Sequence, residues 1–165
     1  MTTVVPLIGA QGFEGIRREK AAIAKQYGFD ELRTDRLLMR YGTLLRDVLA
    51  LIDEDSSLGE PLKDAPRYLR AEVLYAVRAE GARHLADVLE RRTRLDYETR
   101  DRGVAAADEV AALVGSELGW GEVDRAREVG TYRDFIAARL DGERTTSDEQ
   151  AAARLAEAPE VPTRR

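Results

Sequence analysis

The chain predicts an all-α fold, a compact bundle of about five helices followed by a disordered C-terminal tail, and three observations carry that prediction. Apolar residues recur at three- and four-residue spacing over most of the 165 residues, no segment alternates with period two for long enough to make a sheet, and Gly or Pro signals separate the periodic stretches. With 44% hydrophobic residues, a single core can form without help from an oligomer. The expected organisation is an interdomain lead-in over residues 1–12, a helical domain over 13–142 and a flexible tail over 143–165.

The first helix is expected from Phe13 to Tyr27, with Phe13, Ile16, Ile23 and Tyr27 on one side and Gly28 as a left-handed C-cap, after which Phe29 folds back over the last turn. The second starts after Thr34 as N-cap and turns Leu38, Leu45, Val48, Leu49 and Ile52 inward until the acids Asp53 to Asp55. Gly42 inside it costs about 1 kcal/mol relative to Ala, which points to a close helix crossing there. Pro61 and Pro66 make 56–67 a connector, because each biases the residue before it away from helix.

Next comes Tyr68 to Arg94, YLRAEVLYAVRAEGARHLADVLERRTR, the most informative stretch of the chain. Its first half is read as a helix over Leu69 to Ala82 with Leu69, Val73, Ala76 and Val77 on one side and Glu72 and Glu80 two turns apart. Its second half is a short helix with His84 at the N-cap position and Asp87 three residues on, the spacing of a capping box. Asp87 with Arg91 and Glu90 with Arg94 form i,i+4 pairs worth about 0.3–0.5 kcal/mol each. Arg92 has no such acid and faces the core side, so it needs a partner across the fold, with Glu72 and Glu80 as candidates. Residues 97–103 read as a loop, Val104 to Leu118 as an Ala-rich helix closed by Gly119, and the last helix runs from near Glu122, projecting Val129, Tyr132, Ile136 and Leu140, to Gly142.

The order EVLYAVRAEGARHLADVLERRTRL, followed by an Ala-rich helix and ELGW, resembles the C-terminal helical domain of FAD-dependent glycerol-3-phosphate dehydrogenases and alpha-glycerophosphate oxidases. A PLIGAQGFEG lead-in, a YGTLLRDVL helix and a final helix beginning WGEVDRAREVGTY occur in the same order, so the resemblance covers about Pro6 to Leu140. His84 departs from the pattern, where many relatives carry a hydroxyl residue. The resemblance implies oxidation of sn-glycerol 3-phosphate to dihydroxyacetone phosphate by the whole enzyme, with FAD and substrate held by a preceding N-terminal domain on which the helical domain packs. No cofactor is expected in this chain itself, and no catalytic or metal-ligating residue. Glu72, Arg78, Glu80, Arg91, Arg92 and Arg94 are the residues expected to fix the domain's internal geometry and part of that interface.

Composition narrows the alternatives. A net charge of −5 argues against a nucleic-acid partner, the absence of cysteine excludes thiolate sites and disulfides, and one histidine leaves no zinc set. No stretch reaches the ~20 apolar residues of a membrane span and the N-terminus lacks a signal-peptide pattern, so a cytoplasmic chain is expected; the resemblance allows the whole enzyme a peripheral place at the inner face of the membrane.

Three local patterns mimic sites. Gly9, Gly12 and Gly15 give GxxGxxG rather than the GxGxxG of a dinucleotide turn, Pro6 interrupts the supposed strand, and no βαβ unit follows. The acids of Asp53 to Asp64 suggest a calcium loop, but Leu58 stands where Gly is needed and Asp64 where a bidentate Glu is needed. The arginine cluster matches phosphate chemistry, yet local acids make ion pairing the better reading. The alternative to an enzyme domain is a freestanding helical module that recognises a separate protein.

Overall fold

The computed structural model describes residues 5 and 7–159; the first residues of the expected lead-in and residues 160–165 of the expected tail lie outside the described residues. The chain forms two compact units, residues 1–60 and 61–165.

The first unit holds helices α1 (Phe13–Arg18), α2 (Lys20–Tyr27), α3 (Glu31–Tyr41) and α4 (Leu45–Glu54), with 3₁₀ turns at Gly42–Leu44 and Ser56–Gly59. The single first helix expected from periodicity is therefore two. The chain tightens at Glu19 (φ −81°, ψ −5°), where its N–H reaches back to Ile16, and Arg46 grips the Glu19 carboxylate with two bonds of 2.8 and 2.9 Å. Gly28 is the expected left-handed cap (φ 67°), and Phe29 stacks on Tyr27 at 5.7 Å between ring centroids. Asp30, not Thr34, caps α3: its carboxylate accepts from the Arg33 N–H, whereas Thr34 lies inside the helix with its hydroxyl on the Asp30 carbonyl. An Asp four residues before the expected cap competes better because a carboxylate accepts more strongly than a hydroxyl.

Gly42 ends α3 rather than sitting inside a longer helix. At φ 56° and ψ −132° it adopts a conformation open to glycine, and a Cβ there would collide with the Gly9 carbonyl. The close approach inferred from sequence is real, but its partner is the lead-in turn. The Gly9 carbonyl accepts from both the N–H (2.9 Å) and the hydroxyl (3.2 Å) of Thr43.

The second unit opens with an antiparallel ribbon, β1 (Pro61–Leu62) and β2 (Ala65–Leu69), in the stretch expected as an irregular connector. Its alternation is too short to register as a strand pattern. Helices α5 (Arg70–Arg78), α6 (Leu95–Glu98), α7 (Ala107–Leu118), α8 (Glu122–Glu143) and α9 (Asp148–Ala156) follow, with a π-helical turn at Asp87–Arg92. Every residue from Ala71 to Val77 is buried, so α5 is enclosed all round instead of along one stripe. Val73, Ala76 and Val77 from α5, Val110, Ala111 and Val114 from α7, and Val129, Tyr132 and Ile136 from α8 share one core. Glu109 on α7 ties the ribbon and α5 to that core, accepting from the Lys63 N–H (2.8 Å) and the Arg70 side chain (2.9 Å).

Two sequence signals at the C-terminal end resolve differently. Gly142 does not stop α8; it is buried where a Cβ would lie 3.6 Å from the Ala151 carbonyl of α9, so its missing side chain admits the next helix. That helix, capped by the Ser147 hydroxyl and tied by an Arg154–Asp141 ion pair at 3.2 Å, occupies part of the segment read as a tail.

Candidate functional site

The motif helices place the six arginines and glutamates singled out by sequence in distinct tasks. Glu72, fully buried, turns back so that its carboxylate accepts from the Leu69 N–H at 2.8 Å, closing the first turn of α5. Arg78 at the other end of α5 makes a fork-to-fork pair with Glu117 of α7, at 2.8 and 2.9 Å. That guanidinium holds the Glu117 carboxyl below the usual carboxylate range. Gly81 (φ 71°) then reverses the chain, and Arg92 comes back across this turn to donate its Nε to the Glu80 main-chain carbonyl at 2.9 Å. The acceptor is a main-chain carbonyl rather than a carboxylate, and the bond lies at the exposed surface instead of on the core side that α-helical spacing suggests.

The second half of the motif is wound as a π-helix. The Thr93 N–H reaches five residues back to the Val88 carbonyl (2.8 Å), and the buried Thr93 hydroxyl satisfies the same oxygen at 2.7 Å. One extra residue per turn shifts every following side chain around the axis, so spacing rules for an α-helix hold only at its start. Asp87 and Arg91 pair as expected, at 2.6 Å. Glu90 does not take Arg94 in the expected pair; it lies 3.5 Å from Arg139 of α8, while Arg94 leaves in a left-handed conformation (φ 59°) with its guanidinium over the Tyr97 ring at 5.4 Å.

The capping geometry at His84 is half of a capping box. The Asp87 carboxylate accepts from the backbone N–H of His84 (3.0 Å) and of Arg83 (2.9 Å). Burial works against the Asp87 charge, but the N–H bond from Arg83, the Arg91 side chain and the N–H of His84 outweigh it and hold the carboxyl below its ordinary value. The imidazole does not complete the box. Its Nδ1 lies 3.0 Å from the buried Glu128 carboxylate of α8, whose other oxygen accepts from the Leu85 N–H at 3.0 Å. A carboxylate only accepts, so Nδ1 carries the hydrogen, leaving Nε2 buried without a hydrogen-bond partner.

A second buried cluster was not visible from sequence. Asp96 has no exposed surface; its Oδ2 lies 3.2 Å from Arg139, which also faces Glu90 and stacks over Tyr97 at 5.6 Å. Burial, only partly offset by Arg139 and reinforced by Glu90, pushes the Asp96 carboxyl up, and its Oδ1 has no hydrogen-bond partner. Nearby, burial raises the Tyr132 phenol, whose hydroxyl donates to the Arg102 carbonyl. Glu128, Tyr132 and Arg139 all come from α8. Tyr132 was expected on the inward stripe, whereas the sequence signal for Glu128 and Arg139 is polar residues interleaved with that stripe, which a solvated helix face produces equally well.

These groups bind one another. The Arg78 and Arg91 forks are occupied by carboxylates, and among the described residues no cluster of His, Asp and Glu side chains is placed to hold a metal ion. The glycines of the lead-in do not fit a dinucleotide either. Gly9 spends its carbonyl on Thr43, and the helix they open has only six residues.

Residues 1–125 match the family model described as the C-terminal domain of alpha-glycerophosphate oxidase. The chain belongs to this family. It is 42% identical over 164 residues to a glycerol-3-phosphate dehydrogenase of Mycobacterium leprae and 40% identical over 161 residues to glycerol-3-phosphate dehydrogenase 2 of Mycobacterium tuberculosis, covering 99% and 98% of this chain. A glycerol-3-phosphate dehydrogenase of Synechocystis is 27% identical over 135 residues, 82% of this chain and 24% of that protein. The chain spans about 28% of the length of the mycobacterial relatives it matches. No solved structure matches it. The family match ends inside α8, so Glu128, Tyr132 and Arg139 lie beyond it, within the stretch aligned with the Mycobacterium leprae protein. Among the described residues no helix is long and apolar enough to cross a membrane.

Proposed function

We propose that this chain serves as the C-terminal domain of an FAD-dependent enzyme oxidising sn-glycerol 3-phosphate to dihydroxyacetone phosphate, packing on and stabilising the segment that holds FAD and substrate. The observation that carries the reading is the motif itself: Glu72, Arg78, Asp87, Arg91 and Arg92 are engaged in closing turns and bridging helices. An arrangement in which arginines are held by carboxylates and carbonyls suits a rigid docking body better than a reaction centre. No step of the oxidation is assigned to a residue of this chain. A cytoplasmic place, with peripheral attachment at the inner face of the membrane belonging to the whole enzyme, accompanies the reading.

The test joins this chain to the Mycobacterium leprae relative in place of the matching C-terminal segment and follows glycerol 3-phosphate oxidation. The chimera should turn over while the isolated chain is silent, and Arg92→Met should lower the chimera's melting temperature or rate without releasing flavin. An inactive but folded chimera, or an Arg92→Met variant with unchanged melting and rate, contradicts the proposal.

A further inference from the structure

Among the described residues, five of the eight exposed large apolar side chains, Val5, Leu7, Ile8, Leu32 and Met39, belong to the first unit. Leu7 and Ile8 are 82% and 89% exposed, and Leu32 and Met39 on α3 are 76% and 78% exposed. Scattered apolar residues on a surface need no explanation, but these form a pattern. Leu32, Asp35 and Met39 recur at i, i+3 and i+7 on the face of α3 opposite buried Leu37, Leu38 and Tyr41. The one acid among them, Asp35, pairs with Lys20 at 2.6 Å, a cation it shares with Glu31 at 2.9 Å. Leu7 and Ile8 sit on an ordered turn: the Leu7 carbonyl accepts from Ala10, and Gly9 is clasped by Thr43 just past the C-terminal end of α3.

We infer that this outward face of α3, with Leu7 and Ile8, is the surface that seats the preceding flavin-holding segment of the same polypeptide. This rests on the reading under Proposed function and names the contact face within it. Two observations favour that occupant. Most of the length of the mycobacterial relatives lies outside the segment this chain matches, and the matched family is a C-terminal domain, so the remainder arrives through the lead-in that carries Leu7 and Ile8. The patch is also small. Stand-alone complexes bury about 800 Å² per partner, more than four side chains and their surroundings readily supply, whereas a covalently tethered partner works at an effective concentration of about millimolar and needs less.

Met39 provides a direct probe, because an exposed thioether is converted to the sulfoxide by hydrogen peroxide and a covered one is not. Oxidation of Met39 is followed by peptide mass analysis in the isolated chain and in the chimera with the Mycobacterium leprae enzyme. The expected result is at least tenfold slower oxidation in the chimera. In parallel, Leu32→Asp with Met39→Asp should leave the melting of the isolated chain within a degree or two and lower that of the chimera by several degrees. A chimera that turns over glycerol 3-phosphate while Met39 oxidises as fast as in the isolated chain overturns the surface and leaves the domain reading intact. A folded chimera without turnover in which Met39 is protected supports the surface and counts against the enzyme reading. Protection that grows with concentration of the isolated chain, or that anionic phospholipid vesicles reproduce, gives the face to a second copy or to a membrane and overturns the assignment.

Discussion

Glu128 is the residue on which the join between α8 and the motif depends most. Its two oxygens serve the His84 ring and the buried Leu85 N–H, so Glu128→Ala should destabilise the chain by about 2 kcal/mol, while His84→Ala costs less because Leu85 keeps its acceptor. Equal urea midpoints for the two variants would contradict that division. Asp87 and Asp96 respond to pH in opposite senses. The Asp87 carboxyl is depressed from an ordinary value of 3.8, so its contribution is present above that value and is lost as pH falls through the lower folded one. The Asp96 carboxyl is raised, so its contribution is full below the ordinary value and is lost as pH rises through the higher folded one. Asp87→Asn should therefore cost more at pH 7 than Asp96→Asn and should flatten the acid limb of the stability curve below about pH 4. Urea titrations between pH 2 and 7 that show parallel acid limbs for the parent chain and Asp87→Asn would reject this.

At the scale of elements, interruptions matter as much as the helices. Gly42 divides the second expected helix because the lead-in turn needs the space, so Gly42→Ala should destabilise by more than about 2 kcal/mol through strain and collision. Gly130, in α8 where an added Cβ would meet nothing within 4 Å, gives the contrast: Gly130→Ala should stabilise by about 0.5–1 kcal/mol. Similar thermal shifts for the two substitutions would undo the argument. The helical class, the Gly28 and Gly119 caps and the Asp87–Arg91 pair were legible because each is local: a period, a left-handed terminus, an i,i+4 spacing. The π-turn was not. Its signature is Thr93 returning to Val88, which looks like any hydroxyl at the end of a helix. Once it forms, Glu90 swings from Arg94 to Arg139, 49 positions along the chain, and no periodicity announces such a partner. The two-strand ribbon was missed for the related reason that its pairing spans too few residues to alternate.

For the whole molecule, the family membership and the geometry point the same way. A body whose arginines are held internally and whose apolar side chains near the lead-in are exposed is suited to support another segment. Anything that binds only the folded form of a partner stabilises it, and a tethered domain does so continuously. The family was legible from the order of motifs between Pro6 and Leu140, with the Tyr68 to Arg94 stretch at its centre, whereas the exposure of Leu32 and Met39 was not, because a helical pattern alone does not orient such residues toward core or solvent. The most direct test is the temperature at which flavin fluorescence appears on heating the Mycobacterium leprae enzyme trimmed of the segment matched here, with and without this chain joined to it. A rise of several degrees on joining is the predicted result; an unchanged release temperature would contradict the claim that this domain packs on and stabilises the flavin-holding segment.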